Sequence, residues 1–145
     1  MGGFADTTTA KAMATTMFNN GCDVVFHAAG GSGVGMFNAA SELGFIAVGV
    51  NTNQNGLFPD NTIASMLKRV DNAAYAAISA VVDGTFAGGV VTLTLADGGV
   101  GYTNEDSNIV LPESIVSELA SIEQMIVSGE IAVPETIEDA LTFTK

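Results

Sequence analysis

The feature that most constrains this chain is a short apolar run followed at once by a cluster of glycines. Residues 24–26 read VVF, and the segment HAAGGSGVGMF follows at 27–37. Apolar residues then recur at helical spacing as far as Leu43. A buried strand, a glycine turn and an amphipathic helix in this order form one unit of an α/β fold with a parallel sheet. The chain is therefore predicted to build such a sheet.

The rest of the chain continues this alternation of strand and helix signals. Helices are predicted at 8–19, 34–43, 71–82 and 112–127, and strands at 23–28, 45–50, 62–67 and 90–95. Asp6 and Asp71 stand where N-caps are expected. Residues 51–61 contain four asparagines, a glycine and Pro59, which is typical of a long loop. The residues after Pro134 are predicted to be peripheral.

The composition indicates one globular domain and excludes several classes of partner. With 145 residues, 48 % of them hydrophobic, the chain can bury a core of its own. Its net charge of −12 repels nucleic acid and anionic lipid, so neither is expected as a partner. No apolar stretch has the length of a membrane span, and the first residues do not read as a signal peptide. Cys22, the single cysteine, is expected to be a small buried hydrophobe.

The glycine segment resembles a phosphate-binding loop only in its spacing. Gly30 and Gly35 have the separation found in G-x-x-x-x-G-K-[ST], but Met36 and Phe37 occupy the positions of the lysine and the hydroxyl residue. Without that cation and that hydroxyl, neither the phosphates nor a magnesium ion would be held. The dinucleotide pattern also fails, because Met36 takes the place of its third glycine. We therefore interpret the turn as backbone that approaches an oxygen-rich ligand.

Three further groups of polar residues leave their roles open. Asn51 to Gln54 follow a predicted strand, and amides there either contact a sugar-like ligand or stabilise a turn. Lys68 and Arg69 are half of the four basic residues, and they are either an anion or hydroxyl contact or part of a surface ion pair. His27, the only histidine, is expected to pack or hydrogen-bond at a strand end. No constellation of nucleophile, paired carboxylates or metal ligands is present, so no enzyme activity, metal or cofactor is predicted.

An ordered series of segments adds a resemblance to this interpretation. The segments are GCDVVFHAAGGSGVGMFNAA, IAVGVNTNQ, SMLKRVDNAAYAAISAVVDGTFAGG, LADGGVGY and LPESIVSELASIEQMIVSGEIAVP. From about Gly3 to Pro134 the chain resembles the C-terminal half of the basic membrane protein family, the PnrA-like substrate-binding lipoproteins of ABC transporters. The resemblance implies one lobe of a type I periplasmic-binding-protein fold, flavodoxin-like and three-layered with a mostly parallel sheet, over residues 1–134. A peripheral tail would occupy residues 135–145.

The resemblance also implies a site for a purine nucleoside in a cleft between two lobes. GGFAD resembles the family's G-S-F/W-N/D-D turn, which makes Phe4 the aromatic residue that stacks on the base. Gly30 and Gly31 match the glycine pair whose backbone approaches the ribose, and Lys68 matches the ligand-contacting lysine of S-M-x-K. Asn51 stands where the family has a ribose-binding aspartate in G-V-D-S-D-Q. The implied partner is an ABC permease, and the implied location of the full-length protein is extracytoplasmic, as a membrane-anchored lipoprotein.

The chain departs from the family pattern in two respects. Asn51 and Asn53 replace two acids, which changes the expected ribose contact from a charged to a neutral hydrogen bond. No segment resembles the N-terminal lobe, so the chain is expected to be truncated at the N-terminus, with residues 71–89 meant to pack on the absent lobe. Exposed apolar surface on the third helix and a homo-oligomer are therefore expected. The alternative hypothesis is a ligand-free assembly domain that keeps the fold and self-associates through those surfaces.

Overall fold

The computed structural model describes residues 3–143, which form a four-stranded sheet with helices on both faces. The helices are α1 (Thr7–Asn19), α2 (Val34–Leu43), α3 (Val70–Val82), α4 (Glu113–Val127) and α5 (Ile137–Thr142), and the strands are β1 (Val24–Phe26), β2 (Ile46–Gly49), β3 (Thr62–Lys68) and β4 (Val100–Thr103). The glycine segment forms a 3-10 turn, Gly30–Gly33, directly before α2. The predicted α/β class is confirmed.

The sheet is open and mostly parallel. Its strand order is β1-β2-β3-β4, with the first three strands parallel and β4 antiparallel to β3. Val25 lies beside Ala47, and Val48 lies beside Ala64, so the three parallel strands run side by side. Their carboxyl ends therefore meet at one edge of the sheet, which we call the carboxyl edge. In open α/β sheets this is the edge where ligands bind.

One face of the sheet carries the hydrophobic core beneath α1 and α2. The buried cluster comprises Ala14, Val25, Met36, Phe37, Ala39, Ala40, Phe45 and Ala47. Phe18 stacks on Phe45 with ring centroids 5.6 Å apart, and Phe58 stacks on Phe37 at 5.9 Å. Burying a side chain of this size stabilises a fold by about 1.5–3 kcal/mol. Phe37, which takes the place of the hydroxyl residue of a phosphate-binding loop, is fully buried in this core.

The two helices on this face begin and end as their sequences predict. The N-cap Asp6 accepts a hydrogen bond from the Thr9 N–H at 3.0 Å, and Gly44 ends α2 in the left-handed conformation with φ 82°. The two helices lie in close contact at Gly35. A Cβ atom at this position would overlap the carbonyl oxygen of Thr7, so only glycine permits this approach.

The opposite face of the sheet is covered only in part. From α4, Leu119, Ile122 and Ile126 line a cavity of about 350 Å³ above β3 and β4. In the part of the chain that the structure describes, the β1–β2 half of this face lies open, and Val24 and Phe26 are 51 % and 54 % exposed. The predicted strand at 23–28 is therefore shorter than expected, and only one of its faces is buried.

The helix α3 stands away from the core and has no buried residue. The alanines Ala73, Ala76, Ala77 and Ala80 line a cavity of about 570 Å³ beneath the segment that follows α3. On the opposite side, Tyr75, Ile78 and Val82 are 75 %, 65 % and 80 % exposed. The exposed apolar surface expected on this helix is present. The Arg69 N–H donates to the Gly99 carbonyl at 2.9 Å, so the segment 70–98 leaves the sheet and returns to it at one point.

Residues 90–95 do not form the predicted strand. Val90 and Val91 are 98 % and 77 % exposed, and no strand lies beside this segment within residues 3–143. The alternation of leucine and threonine here indicates only which side chains are partly covered, since Leu93 and Leu95 are half-buried. The fourth strand is instead Val100–Thr103, which pairs with β3 after a turn at 96–99.

Two predictions about single residues are also wrong. Cys22 is exposed, because the chain leaves α1 through a turn at Asn20 and Gly21 that holds the thiol outside the core. Asp71 is not an N-cap but lies in the first turn of α3, whose N-cap is Arg69. No helix within residues 3–143 combines the length and apolar character needed to cross a membrane.

Candidate ligand site at the carboxyl edge

Phe4 lies directly against the glycine pair that follows β1. A Cβ atom added at Gly30 would be 2.9 Å from Cδ1 of the Phe4 ring, and one added at Gly31 would be 2.9 Å from the Phe4 carbonyl oxygen. Gly30 also has a φ of 56°, which residues with a side chain adopt only rarely. The phenyl ring remains 82 % exposed. An apolar ring and bare backbone are therefore presented together to solvent.

Ser32 holds the two segments of this arrangement together. Its hydroxyl is fully buried, donates to the Gly3 carbonyl at 2.8 Å and accepts from the Asp6 N–H at 2.8 Å. The chain just before α1 is thereby fixed to the turn just before α2. Phe4 sits between the two tethered residues Gly3 and Asp6, which limits how far its backbone can move.

Asn51 and Lys68 form a second contacting pair on the neighbouring strands. The Lys68 N–H donates to the Asn51 carbonyl at 2.9 Å. Asn51 has a φ of 71°, a left-handed conformation in which asparagine is strongly enriched among non-glycine residues. Both side chains are exposed, and neither makes a hydrogen bond or ion pair to another residue within 3–143. The five residues singled out from the sequence thus lie at the carboxyl edge as two groups, one in the segments before α1 and after β1, and the other after β2 and at the end of β3.

Arg69 has a different role from its neighbour Lys68. Its guanidinium donates to both carboxylate oxygens of Asp71, with Nε at 3.0 Å from Oδ1 and the terminal nitrogen at 2.8 Å from Oδ2. The hydrogen bond from Arg69 lowers the pKa of Asp71 to about 2. Of the two alternatives left open by the sequence, the surface ion pair describes Arg69, and the ligand contact remains open for Lys68.

His27 and Gln54 begin a buried polar network beneath this edge. His27 is 7 % exposed and packs edge-on against Phe37, with ring centroids 5.4 Å apart at 84°. Its Nε2 lies 3.2 Å from Gln54 Oε1, which also accepts from the Val50 N–H at 2.7 Å. Burial lowers the pKa of the imidazole. The packing and hydrogen-bonding role predicted for His27 is the one it has.

Ser65 and Asn55 continue this network beneath β3 and β4. Both side chains are fully buried. The Ser65 hydroxyl accepts from the Gln54 N–H at 3.1 Å and donates to Asn55 Oδ1 at 2.7 Å. The Asn55 amide donates to the carbonyl oxygens of Thr103 and Glu105 at 3.1 and 2.8 Å. A continuous set of hydrogen bonds therefore links all four strands.

Asn53 is turned away from Asn51 and serves the loop. Its amide donates to Asp106 Oδ2 at 2.8 Å, and its Oδ1 accepts from the Asn55 N–H at 3.1 Å. Asp106 has a φ of 61°, so a strained residue is fixed by this contact. Of the two amides that replace acids of the family pattern, only Asn51 has a side chain free to meet a ligand.

The sequence did not single out Asn55 or Ser65, and it indicated Gln54 only as one of four residues that either contact a ligand or stabilise a turn. One signal was available, because Ser65 lies inside a strand of mostly apolar residues, where a buried hydroxyl requires a partner. The amides in the loop are indistinguishable by periodicity, although one faces solvent and another is fully buried. No cluster of three or more metal-binding side chains occurs within residues 3–143.

Several known proteins are similar in sequence to this chain. The family profile described as "ABC transporter substrate-binding protein PnrA-like" matches residues 1–137. Basic membrane protein A of Borreliella afzelii is 32 % identical, over 100 % of this chain and 45 % of the relative. Basic membrane protein B of the PKo strain of Borreliella afzelii is 34 % identical, over 98 % and 41 %. The chain therefore spans less than half the length of these curated relatives.

Solved structures agree on the architecture. A solute-binding protein of an ABC transporter system from Aeropyrum pernix K1 superposes with a TM-score of 0.77 at 29 % identity, covering 97 % of this chain and 48 % of that one. A transcriptional activator of the comK gene from Bacillus halodurans superposes with a TM-score of 0.79 at 20 % identity, covering 90 % and 45 %. The second similarity concerns the fold alone.

Proposed function

This chain belongs to the PnrA-like family of ABC transporter substrate-binding proteins, and from that membership we propose that it binds a purine nucleoside at the carboxyl edge of its sheet. The observation that carries the proposal is Phe4, whose ring is 82 % exposed and lies against the backbone of Gly30 and Gly31. An exposed ring held in one place offers a flat apolar surface to the face of a purine.

The polar groups at the ends of the next two strands suit a ribose better than a phosphate. Asn51 offers an acceptor oxygen and a donor amide, and Lys68 offers donors from the next strand. The net charge of −12 would repel a nucleotide, whereas a nucleoside is uncharged. Met36, which stands where a phosphate-binding loop has its lysine, is buried in the core and cannot meet a ligand. The proposed ligand is therefore the nucleoside without its phosphates.

The proposed binding mode needs a second wall opposite the carboxyl edge. In this family fold two lobes close on the ligand about a hinge. We propose that the second wall corresponds to the part of the relatives that this chain does not match. The proposed partner that receives the ligand is an ABC permease, and the proposed location is extracytoplasmic, as a lipoprotein. The proposed task is capture and delivery without chemical change of the ligand.

Titration calorimetry with guanosine, inosine and adenosine at millimolar concentrations tests the proposal on the chain of 145 residues. We expect weak but saturable binding, because one wall supplies only part of the contacts. The Phe4→Ala variant should lose about 5- to 150-fold in affinity, since stacking of a base on an aromatic ring is worth about 1–3 kcal/mol.

Phe143→Ala serves as the matched control, because Phe143 is also an exposed aromatic residue but lies at the end of α5. Its affinity should equal that of the unsubstituted chain. Equal affinities of the Phe4 and Phe143 variants would contradict the proposed site. Absence of any saturable heat with all three nucleosides would contradict the proposed ligand.

A further inference from the structure

We propose that His27 is a positioning residue that holds the turn 28–31 in place through the Ala29 N–H, and that it can do so only as a neutral ring with the proton on Nε2. The inference rests on the proposed function, because this turn contains the glycine pair assigned to the ligand. It adds to that function a pH dependence: acidification would release the turn and weaken binding.

The position of the proton follows from the partners of the ring. Gln54 Oε1 accepts from the Val50 N–H at 2.7 Å, which identifies this atom as the amide oxygen and not the nitrogen. An oxygen cannot donate, so His27 Nε2, at 3.2 Å, must carry the proton and donate. The other ring nitrogen, Nδ1, is then unprotonated and accepts from the Ala29 N–H at 3.4 Å. Both contacts are satisfied by one tautomer alone.

Two neighbours restrict where the imidazole ring can lie. Phe37 packs against it edge-on from α2, and a Cβ atom at Gly33 would overlap the imidazole. Only glycine at position 33 therefore leaves room for the imidazole between the turn and α2. Since Nδ1 accepts the hydrogen bond from the Ala29 N–H, a change in the protonation of Nδ1 acts directly on Ala29.

Protonation would turn an acceptor into a second donor facing Ala29. A proton on Nδ1 points at the Ala29 N–H, so the hydrogen bond is lost and two donors oppose each other. Within residues 3–143, no charged side chain lines the cavity beside His27 or contacts its ring. The neighbours are Ala10, Met13, Ala14 and Met17 from α1, Gly33 from the 3-10 turn, Met36 and Phe37 from α2, and Gln54 from the loop. Burial lowers the pKa of His27, and the hydrogen bond with Gln54 opposes this more weakly. The neutral form is therefore favoured in the folded chain and is lost below the usual range of histidine titration.

Nitrogen NMR of the imidazole tests the tautomer directly and without ligand. The chain has one histidine, so its two ring nitrogens give the only imidazole signals. At pH 7.5 we expect a protonated Nε2 and an unprotonated Nδ1. On lowering the pH to 5, the amide signals of Ala29 and Gly30 should shift with the same midpoint as the ring, and that midpoint should lie below 6.5. A proton on Nδ1 at pH 7.5 would overturn the proposal, and so would amide signals of Ala29 and Gly30 that do not shift as the ring titrates.

Binding measurements test the consequence for the ligand. The dissociation constant for guanosine should rise about fivefold or more between pH 7.5 and pH 5, a size typical of coupled sites. By reciprocity, saturating guanosine should raise the acid dissociation constant of His27 by the same factor, which lowers the NMR midpoint by about 0.7 pH units for a fivefold coupling. A dissociation constant that stays flat over this range would contradict the coupling.

Two variants separate positioning from simple packing. In His27→Asn the side-chain oxygen can accept the N–H two residues on, as in an Asx turn, so affinity at pH 7.5 should be kept and the pH dependence lost. In His27→Leu the volume is filled but the acceptor is missing, so affinity at pH 7.5 should be reduced and should not change with pH. Equal behaviour of the two variants would show that His27 only fills space. If no nucleoside binds at any pH, the proposed function fails, while the NMR result still decides the positioning role.

Discussion

Single amide side chains determine how the loop after β2 is held, and they are not equivalent. Asn51 occupies a left-handed conformation with its side chain in solvent, Asn53 binds the carboxylate of Asp106, and Asn55 is buried against two carbonyl oxygens. The sequence shows only a run of similar residues here. Their different environments depend on β4 and the loop after it, which approach from distant positions in the chain.

Restoring the two acids of the family pattern should therefore affect different properties: Asn51→Asp the nucleoside affinity, and Asn53→Asp the stability of the fold. Asn51→Asp should leave the stability within about 0.5 kcal/mol, because the position is exposed and aspartate also tolerates this backbone conformation. It should raise nucleoside affinity about fivefold, the gain of a charged over a neutral hydrogen bond. Asn53→Asp should lower the free energy of unfolding by about 1 kcal/mol, because it exchanges a hydrogen bond to Asp106 for repulsion between carboxylates.

Urea unfolding at low and high salt, together with calorimetry, measures both effects. The loss in Asn53→Asp should shrink at high salt, since exposed charges are screened. If Asn53→Asp is as stable as the unsubstituted chain at low salt, the contact with Asp106 does not hold this loop. If Asn51→Asp loses affinity, the ribose role assigned to position 51 is wrong.

At the scale of secondary structure, α1 and α2 approach each other closely at Gly35. The segment resembles a phosphate-binding loop in sequence, yet three of its four glycines are required for different structural reasons. Gly30 has a positive φ, Gly33 leaves room for His27, and Gly35 leaves room for the backbone of Thr7. Spacing alone does not reveal these reasons, because the atoms that require glycine lie in other segments of the chain.

Gly35→Ala should be strongly destabilising although alanine is the better helix former. The new methyl group would overlap the Thr7 carbonyl oxygen, which is backbone and cannot rotate away, so α1 must shift from α2. We expect a loss of about 1–3 kcal/mol or more, as for overpacking of a core. Thermal and urea unfolding followed by circular dichroism provide the measurement.

Gly88→Ala is the control, because a Cβ atom at Gly88 would meet no atom within 4 Å. This variant should be unchanged or slightly more stable, since alanine restricts the unfolded chain. If Gly35→Ala and Gly88→Ala have the same free energy of unfolding, the two helices are not in close contact.

The elements themselves divide into those that local signals predict and those that depend on partners. The cap at Asp6, the left-handed Gly44 and the apolar period of α2 are local, and these helices lie where the sequence places them. The fourth strand is not local. Residues 90–95 have the better strand pattern, but only Val100–Thr103 reach β3, so pairing and not propensity decides which segment becomes a strand.

For the molecule as a whole, the fold class and the carboxyl edge follow from the sequence, whereas the surface of α3 raises a question of assembly. Tyr75, Ile78 and Val82 form one exposed apolar stripe along this helix. Exposed apolar surface of this kind marks contact sites in soluble proteins. We propose that the isolated chain self-associates through this stripe.

Sedimentation equilibrium at micromolar concentrations tests this proposal. We expect a dimer or larger species, favoured by salt because each chain carries a net charge of −12. Ile78→Lys should give a monomer. Val90→Lys is the control, because Val90 is 98 % exposed but lies outside the helix, and this variant should associate like the unsubstituted chain. A monodisperse monomer of the unsubstituted chain at low and high salt would contradict the proposal.

The hydrogen bond between Arg69 and Gly99 has a consequence for how such a chain can be remodelled. It joins the two ends of the segment 70–98, and β3 and β4 are antiparallel neighbours with Lys68 beside Val100. The segment 70–98 is therefore an insertion between two antiparallel neighbouring strands, which a short hairpin turn could also connect. Loop-closure entropy depends only weakly on the length of what is inserted. We therefore expect that this insertion can be replaced by a segment of another length while the register of β3 and β4 is preserved.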